Sequence, residues 1–344
     1  MPRQFSSVHH EAASARRMTR KSLLLAAALV LPCDVQAQTA VQAGTPTIPA
    51  QLVGAFDKMF NGPHVGQRAI HAKGLLCEGS FVPTAHAVTL SRAAHLQGAE
   101  VPVLARFSNF AAIPGLPDGH PASSPRGLAV KFLLPNGGDT DIVAHSYDGF
   151  PASTADEFLA FLRAVPDAAA LAAFAAGHPA ARAFLDHPKP TPASYGTEAY
   201  FGVNAFRFTN AAGAAQHGRY RFVPVAGTSY LGVDEAAGRM PDFLTEELAE
   251  RLQRGPITFR LLVQLADHGD TLTDASAPWP ADRAVLELGT LSLRAVVQAD
   301  DARQADLTFV PTNLVGGIGV SADPLLTART QAYRISADRR LDAR

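Results

Sequence analysis

The spacing of apolar and polar residues changes character several times along the chain. Between residues 68 and 145, short apolar or alternating runs at 79–83, 101–108, 127–134 and 141–145 read as strands. Gly- and Pro-rich stretches such as 114–125 separate them. At 154–165 the period becomes helical. Thr154 and Glu157 have the spacing of a capping box, and Phe158, Leu159, Phe161 and Leu162 follow on one face. Pro166 and Asp167 open an alanine-rich helix, and a third helix covers 180–185. Strand signals return at 200–209 and 219–225, with a hairpin loop expected over 210–218. An amphipathic helix at 241–252 has Pro241 at its start, where proline is tolerated. Two further strands, 257–266 and 285–297, precede a last helix over 323–333. Long alternating runs of this kind suit an antiparallel barrel. The expected fold class is therefore α+β, an antiparallel β-barrel with surrounding helices.

These patterns name no ligand, and composition mainly removes alternatives. A chain of 344 residues allows one large domain or two modest ones, and 47% hydrophobic residues against 18% charged allow a sizeable core. A net charge of −1 argues against a nucleic-acid surface or a polybasic membrane patch. Two cysteines, Cys33 and Cys77, build neither a zinc site nor a disulfide framework.

The N-terminus has the layout of a secretory signal. Arg16, Arg17, Arg20 and Lys21 precede an apolar run over 23–31, and Val35-Gln36-Ala37 matches a small-x-Ala cleavage pattern. The apolar run is too short to span a bilayer. Met18 is an alternative start. Thr19 and Arg20 stand where a twin-arginine signal has aromatic and leucine positions, and Pro32 stands where a lipoprotein signal has a small residue before Cys33. The expected organisation is a signal peptide over 1–37, a flexible leader over 38–50 and one domain over 51–344. The mature protein is expected in the periplasm or secreted, without a membrane anchor once the signal is removed.

Candidate chemistry begins at Arg68-Ala-Ile-His71-Ala-Lys73-Gly74. A lone histidine in a strand is usually structural, but this segment resembles the distal-histidine segment of haem catalases. Pro102-Val-Leu-Ala-Arg106-Phe-Ser108 resembles that family's Val-Arg-Phe-Ser strand, and Ser124-Pro-Arg-Gly-Leu-Ala-Val-Lys-Phe132 its Asp-Pro-Arg-Gly-Phe-Ala-Val-Lys-Phe block. Tyr200-Phe-Gly-Val-Asn204-Ala-Phe-Arg-Phe208, Phe309-Val-Pro-Thr-Asn313 and Asp323-Pro-Leu-Leu-x-x-Arg329-x-x-x-Tyr333 continue the likeness in the same order. The resemblance covers roughly residues 50–344. Its shortness beyond the last helix, together with the export signal, points to the catalase-related peroxidase branch.

The resemblance implies haem b, with Tyr333 as the iron ligand. A phenol with an ordinary pKa of about 10 must then ionise, which ferric iron and a nearby cation both favour. Arg329, four residues earlier on a helix, lies on the same face. His71 is implied as general base and then acid toward peroxide, and Ser108 as the group fixing its tautomer. Arg68, Arg106 and Arg340 match positions that serve the propionates, Ile70 lines the access path, and Phe150 and Phe158 lie beside the porphyrin and distal pocket. One departure stands out: His145 occupies the position of an asparagine that orients peroxide in the family. It can donate a hydrogen bond, but its length and charge differ. The implied function is an exported haem peroxidase reducing hydrogen peroxide and also organic hydroperoxides, with residual catalase activity. It would use an electron donor not identified by the sequence and form a smaller assembly than longer catalases, a homodimer. The alternative is a non-catalytic haem-binding or haem-holding protein on the same barrel.

Overall fold

The computed structural model describes residues 45–297, 304 and 306–343. The signal segment expected over 1–37 lies outside them. α1 (Ile48–Met59) begins within the last residues of the span expected as a leader, with Pro49 in its first turn. Leu52, Val53 and Phe56 recur at helical spacing and are buried. That signal was present in the sequence, but the Thr- and Pro-rich residues before it mask the start.

Eight strands close into a barrel. They are β1 (Gly74–Pro83), β2 (Val101–Ser108), β3 (Gly127–Leu133), β4 (Asp139–His145), β5 (Tyr200–Phe201), β7 (Ala215–Pro224), β8 (Ile257–Leu265) and β9 (Val285–Val296). Each pairs antiparallel with the next around the ring, and β9 returns to β1. The registers include Cys77↔Ala105, Ala105↔Val130, Gly127↔His145 and Tyr220↔Val263. Closure leaves these strands no open edge. The short β6 (Phe206–Thr209) pairs with the remaining length of β7, and β10 (Ile318–Val320) adds to β6. A bulge at Glu78/Gly79 lets β9 cross β1 closely, and a side chain at Gly79 would meet the Ser292 carbonyl.

Alternation along the strands places the site. On β2, Val103, Ala105 and Phe107 enter the barrel core, while Arg106 and Ser108 face outward to a cavity. On β4, Ile142 and Ala144 join the core, while Val143 and His145 have the outward parity. The core itself is aromatic: Phe81, Phe107, Phe132, Phe222 and Phe259 are fully buried, each contributing about 1.5–3 kcal/mol relative to exposure. The cavity wall is thus the outer surface of a tightly packed barrel.

Further helices pack around the barrel, some against its core cluster and some on the cavity side. They are α2 (Ala87–Leu90), α3 (Ala155–Ala164), α4 (Ala168–Gly177), α5 (Pro179–Asp186), α6 (Val233–Ala237), α7 (Phe243–Arg254) and α8 (Pro324–Asp342). Thr154 caps α3 by accepting from the Glu157 amide, and Glu157 reaches back to the Ser153 amide. Asp167 caps α4. The approach to α8 is pinned to the barrel: Asp141 on β4 pairs with Lys131 at 2.7 Å and accepts from the Val310 amide at 2.8 Å. Among the described residues no helix is long and apolar enough to cross a membrane.

Three expectations are corrected in detail. The strand expected over 200–209 is two strands, interrupted where Gly202 and Asn204 turn to other partners. The hairpin loop is 210–214, closed by Asn210 and Ala214, so β7 starts four residues before expected. The last helix runs nine residues past Tyr333, because Ala337 and Arg340 still pack inward.

Candidate active site

A cavity of about 900 Å³ lies between the outer face of β2–β4 and helices α1, α3 and α8. All the side chains singled out in the sequence border it: Arg68, Ile70, His71, Arg106, Ser108, His145, Phe150, Phe158, Arg329, Tyr333 and Arg340. They come from segments far apart in the chain, and the barrel wall plus α8 brings them together.

One wall centres on His71. Its backbone is left-handed, with φ of 58°, which is uncommon for a residue with a side chain. The conformation is held from four sides. His71 and Ala72 donate to the Phe110 and Ala111 carbonyls at 2.9 and 3.1 Å, and Arg106 donates to the His71 and Ala72 carbonyls at 3.0 and 2.9 Å. The ring packs edge-on against Phe110, and Nδ1 lies 3.1 Å from the Ser108 hydroxyl. Burial, with Arg106 adding repulsion, pushes the imidazole pKa down to about 3, so it is neutral at physiological pH. Gly127 on β3 makes this packing possible. A side chain there would sit 2.6 Å from Ser108 Oγ and 3.0 Å from the His71 ring.

Behind this wall is a buried polar network. Asn109 donates to Asp118 at 2.7 Å and accepts from Arg126 and, at 2.8 Å, from the Tyr195 hydroxyl. Lys73 pairs with the same Asp118 at 2.7 Å. Removing one member of such a buried pair typically costs about 3–5 kcal/mol, so the backbone carrying Ser108 and Phe110 is firmly placed.

His145 ends β4 beside Gly127. Its Nδ1 accepts from the Tyr147 amide at 3.3 Å, while Nε2 is shut off from solvent and has no partner among the described residues. Burial, then Arg329 and His71, push its pKa down to about 3. Phe150 lies 6.5 Å from it, ring to ring, and Phe158 lies 4.7 Å from Phe150.

The facing wall is one side of α8. At 100° per residue, Arg329, Tyr333, Ser336 and Arg340 share that side, and all four border the cavity. Asp323 caps the helix by accepting from the Leu325 amide at 2.9 Å. Its other carboxylate oxygen holds Asn204 at 2.7 Å, and Asn204 accepts from Arg329. The second Arg329 amine is 3.3 Å from the Tyr333 hydroxyl.

The arginines differ in how they are engaged. Arg68 donates to the carbonyls of Gln304 and Leu307 at 3.0 and 2.8 Å, and burial beside Arg106 and Arg340 holds its pKa well below the usual range. Arg340 reaches Thr308 Oγ1 at 3.4 Å. Arg106, expected to serve a carboxylate, uses two amines to brace the turn at His71, and its Nε is buried without a partner among the described residues. Sequence reasoning missed three participants: Phe110, Gly127 and Asn204. All lie in or beside the motifs, but their partners are across the fold, so no local spacing marks them.

The profile of the family described as Catalase matches residues 30–344. A catalase-related peroxidase of Mycolicibacterium paratuberculosis is 39% identical over 295 residues, covering 84% of this chain and 93% of that protein. A catalase-related peroxidase of Synechococcus elongatus is 33% identical over 309 residues, covering 87% and 90%. In fold the chain is similar to catalase A from Saccharomyces cerevisiae, with a TM-score of 0.73 at 23% identity, covering 83% of this chain. It spans 63% of the length of that longer catalase. A bacterial catalase gives the same TM-score at 24% identity, with 90% of this chain covered and 64% of that one. The chain belongs to the catalase family.

Proposed function

We propose that this protein is a haem-dependent peroxidase that reduces hydrogen peroxide, and also small organic hydroperoxides, with electrons from a separate donor. The observation that carries the reading is the pairing, across one cavity, of a neutral buried histidine with a Tyr–Arg pair on the facing helix. The names of the two catalase-related relatives support it.

The residues fit a haem b. A flat apolar macrocycle with two carboxylates needs an apolar slot, an oxygen for its iron and cations at its edge. The cavity lies within the ~300–1,000 Å³ range of cofactor sites. Phe150, Phe158 and Ile70 supply apolar surface, Tyr333 the oxygen, and Arg68 and Arg340 cationic edges. When bound, the haem iron supplies the electron exchange with peroxide. The chain supplies the rest. Arg329 donates to the Tyr333 oxygen and orients it toward the cavity. Ser108 engages His71 Nδ1, which leaves Nε2 for proton transfer. Nε2 accepts a proton from the inner peroxide oxygen and returns it to the leaving outer oxygen. The balance is H₂O₂ plus two protons and two electrons to two waters, the electrons coming from the donor.

We further infer export to the periplasm or beyond, supported by the basic residues and apolar run over 16–31, and assembly as a dimer. The deciding experiment is rapid mixing of the haem-loaded mature protein with peroxide, followed by absorption, with oxygen release measured in parallel. His71→Ala should keep the haem and slow the reaction ~10²–10⁴-fold. A haem spectrum that does not respond to peroxide would instead mark a haem-holding protein, and strong oxygen release a true catalase.

A further inference from the structure

A smaller cavity, of about 260 Å³, opens beside the active site. The turn that follows α1 forms one side of it and the end of α8 the other. Two contacts hold these sides together. Arg339 on α8 pairs with Asp57 on α1 at 2.7 Å, and Ser336 accepts from the Ala69 amide at 3.0 Å. Arg68, Ala69 and Ser336 border this pocket and the active-site cavity alike, so the partition between the two is one layer of residues. A molecule seated in the small pocket is thus one residue away from the edge of a cofactor held by Arg68.

The chemistry of the pocket narrows its occupant. Its described lining carries two arginines, Arg68 and Arg339, and two aspartates, Asp57 and Asp342. The charge is balanced, so a charged guest gains little against its loss of hydration. Val65, which is 80% exposed, adds apolar surface together with Pro63 and Ala112. An apolar cavity of about 150 Å³ holds benzene, so this one has room for a single substituted aromatic ring. His64 supplies a directed acceptor. Its Nε2 lies 3.0 Å from the Phe60 carbonyl, which can only accept, so Nε2 carries hydrogen. In the neutral ring Nδ1 then holds a lone pair, on a residue that lines the pocket.

We propose that this pocket is the electron-donor site, taking a small uncharged phenol whose hydroxyl donates to His64 Nδ1. The assignment rests on the peroxidase reading and names the class of donor which that reading leaves open. A phenol that gives up an electron must also give up its hydroxyl proton. The O–H bond breaks, the proton passes to His64 Nδ1 and from this half-buried ring to solvent, and the electron crosses the partition to the cofactor. Two phenols and one hydrogen peroxide give two phenoxyl radicals and two waters, which accounts for both electrons and both protons of the overall reaction. Peroxide meets His71 in the other cavity, so donor and oxidant do not compete for one space.

The test uses the full haem-loaded protein, with p-cresol as the probe. Ligand-observed NMR on the resting protein, without peroxide, reads binding. Stopped-flow absorption reads separately the reaction with peroxide and the return to the resting spectrum. Val65→Glu places a charge at the pocket, and His64→Leu removes the proton acceptor. Both variants should react with peroxide at the wild-type rate. In wild type the return should saturate with p-cresol. Val65→Glu should weaken p-cresol binding about tenfold or more. His64→Leu should weaken it only about two- to tenfold, the loss of one hydrogen bond, yet slow the return about a hundredfold, the loss of a positioned proton acceptor. Ferrocyanide gives an electron and no proton, and should return His64→Leu to rest as fast as wild type.

Wild-type binding and return in both variants overturn the proposal and place the donor elsewhere. Equal slowing of His64→Leu with p-cresol and with ferrocyanide overturns it too, since that result means damage to the partition. Displacement of p-cresol by lower concentrations of ascorbate, lost in Val65→Glu, overturns the uncharged class in favour of an anionic donor. Failure of the underlying peroxidase reading looks different: wild type takes up no haem, or its spectrum does not respond to peroxide, whatever the p-cresol binding shows.

Discussion

Gly127→Ala is the smallest change that tests the packing of the active site. The added methyl would lie 2.6 Å from Ser108 Oγ and 3.0 Å from the His71 ring, well inside contact distance. Neither neighbour yields freely. Rotating Ser108 breaks its bond to His71 Nδ1, and the His71 backbone is held in a left-handed conformation by Arg106 and the 110–111 carbonyls. Overpacking of this kind costs about 1–3 kcal/mol, which for a domain of this size lowers Tm by roughly 2–10 °C. Because the displaced group is the proposed acid–base residue, peroxide reactivity should fall more than stability, by about a hundredfold, while haem uptake stays intact. Stopped-flow absorption with peroxide reads the rate, and thermal unfolding reads the stability. Ser108→Ala in the Gly127→Ala background removes the tighter of the two clashes and should restore part of the lost stability, giving a non-additive double-mutant cycle. A Gly127→Ala protein with wild-type rate and Tm would refute the packing described for this wall.

Tyr333→Phe removes the oxygen 3.3 Å from Arg329 and should abolish or strongly weaken haem binding, read as loss or shift of the main absorption band, while apo-protein stability changes little. Asp323→Ala removes the α8 cap and leaves Asn204 without its carboxylate, costing about 2–4 kcal/mol, visible as a lower denaturant midpoint. Stability should also depend on pH in a defined window. His71, His145 and His95, the last buried beside Phe132 of the barrel core, have folded pKa values pushed by burial to about 3, 3 and 4, below the unfolded value of 6.5, so the unfolded chain binds more protons between these limits. Their contribution is full above pH 6.5 and is lost as pH falls toward 3, at about 1.4 kcal/mol per unit and group. An apo-protein unfolding series showing no loss between pH 6.5 and 4 would contradict the burial of these rings.

Local spacing made much of the scaffold legible. The strand over 101–108 has the same limits in sequence and structure, and the Thr154 and Asp167 caps mark the starts of α3 and α4. Periodicity also gives Arg329 and Tyr333 one helix face, and the ordered motifs identify the family. These features depend on neighbours a few residues apart, and such contacts are written in the chain. Other features depend on partners distant in sequence. The pairing of His145 with Gly127 follows from strand register around the closed barrel. The left-handed turn at His71 requires Arg106, 35 residues away, and the orientation of Arg329 requires Asn204, 125 residues away. Which of the His145 ring nitrogens carries the proton depends on a single backbone amide at the end of β4. The sequence by itself determined which groups are available and which elements carry them. Only the tertiary structure decided which groups meet, in which protonation state, because burial and long-range hydrogen bonds exist only once the barrel has closed and α8 has docked against it.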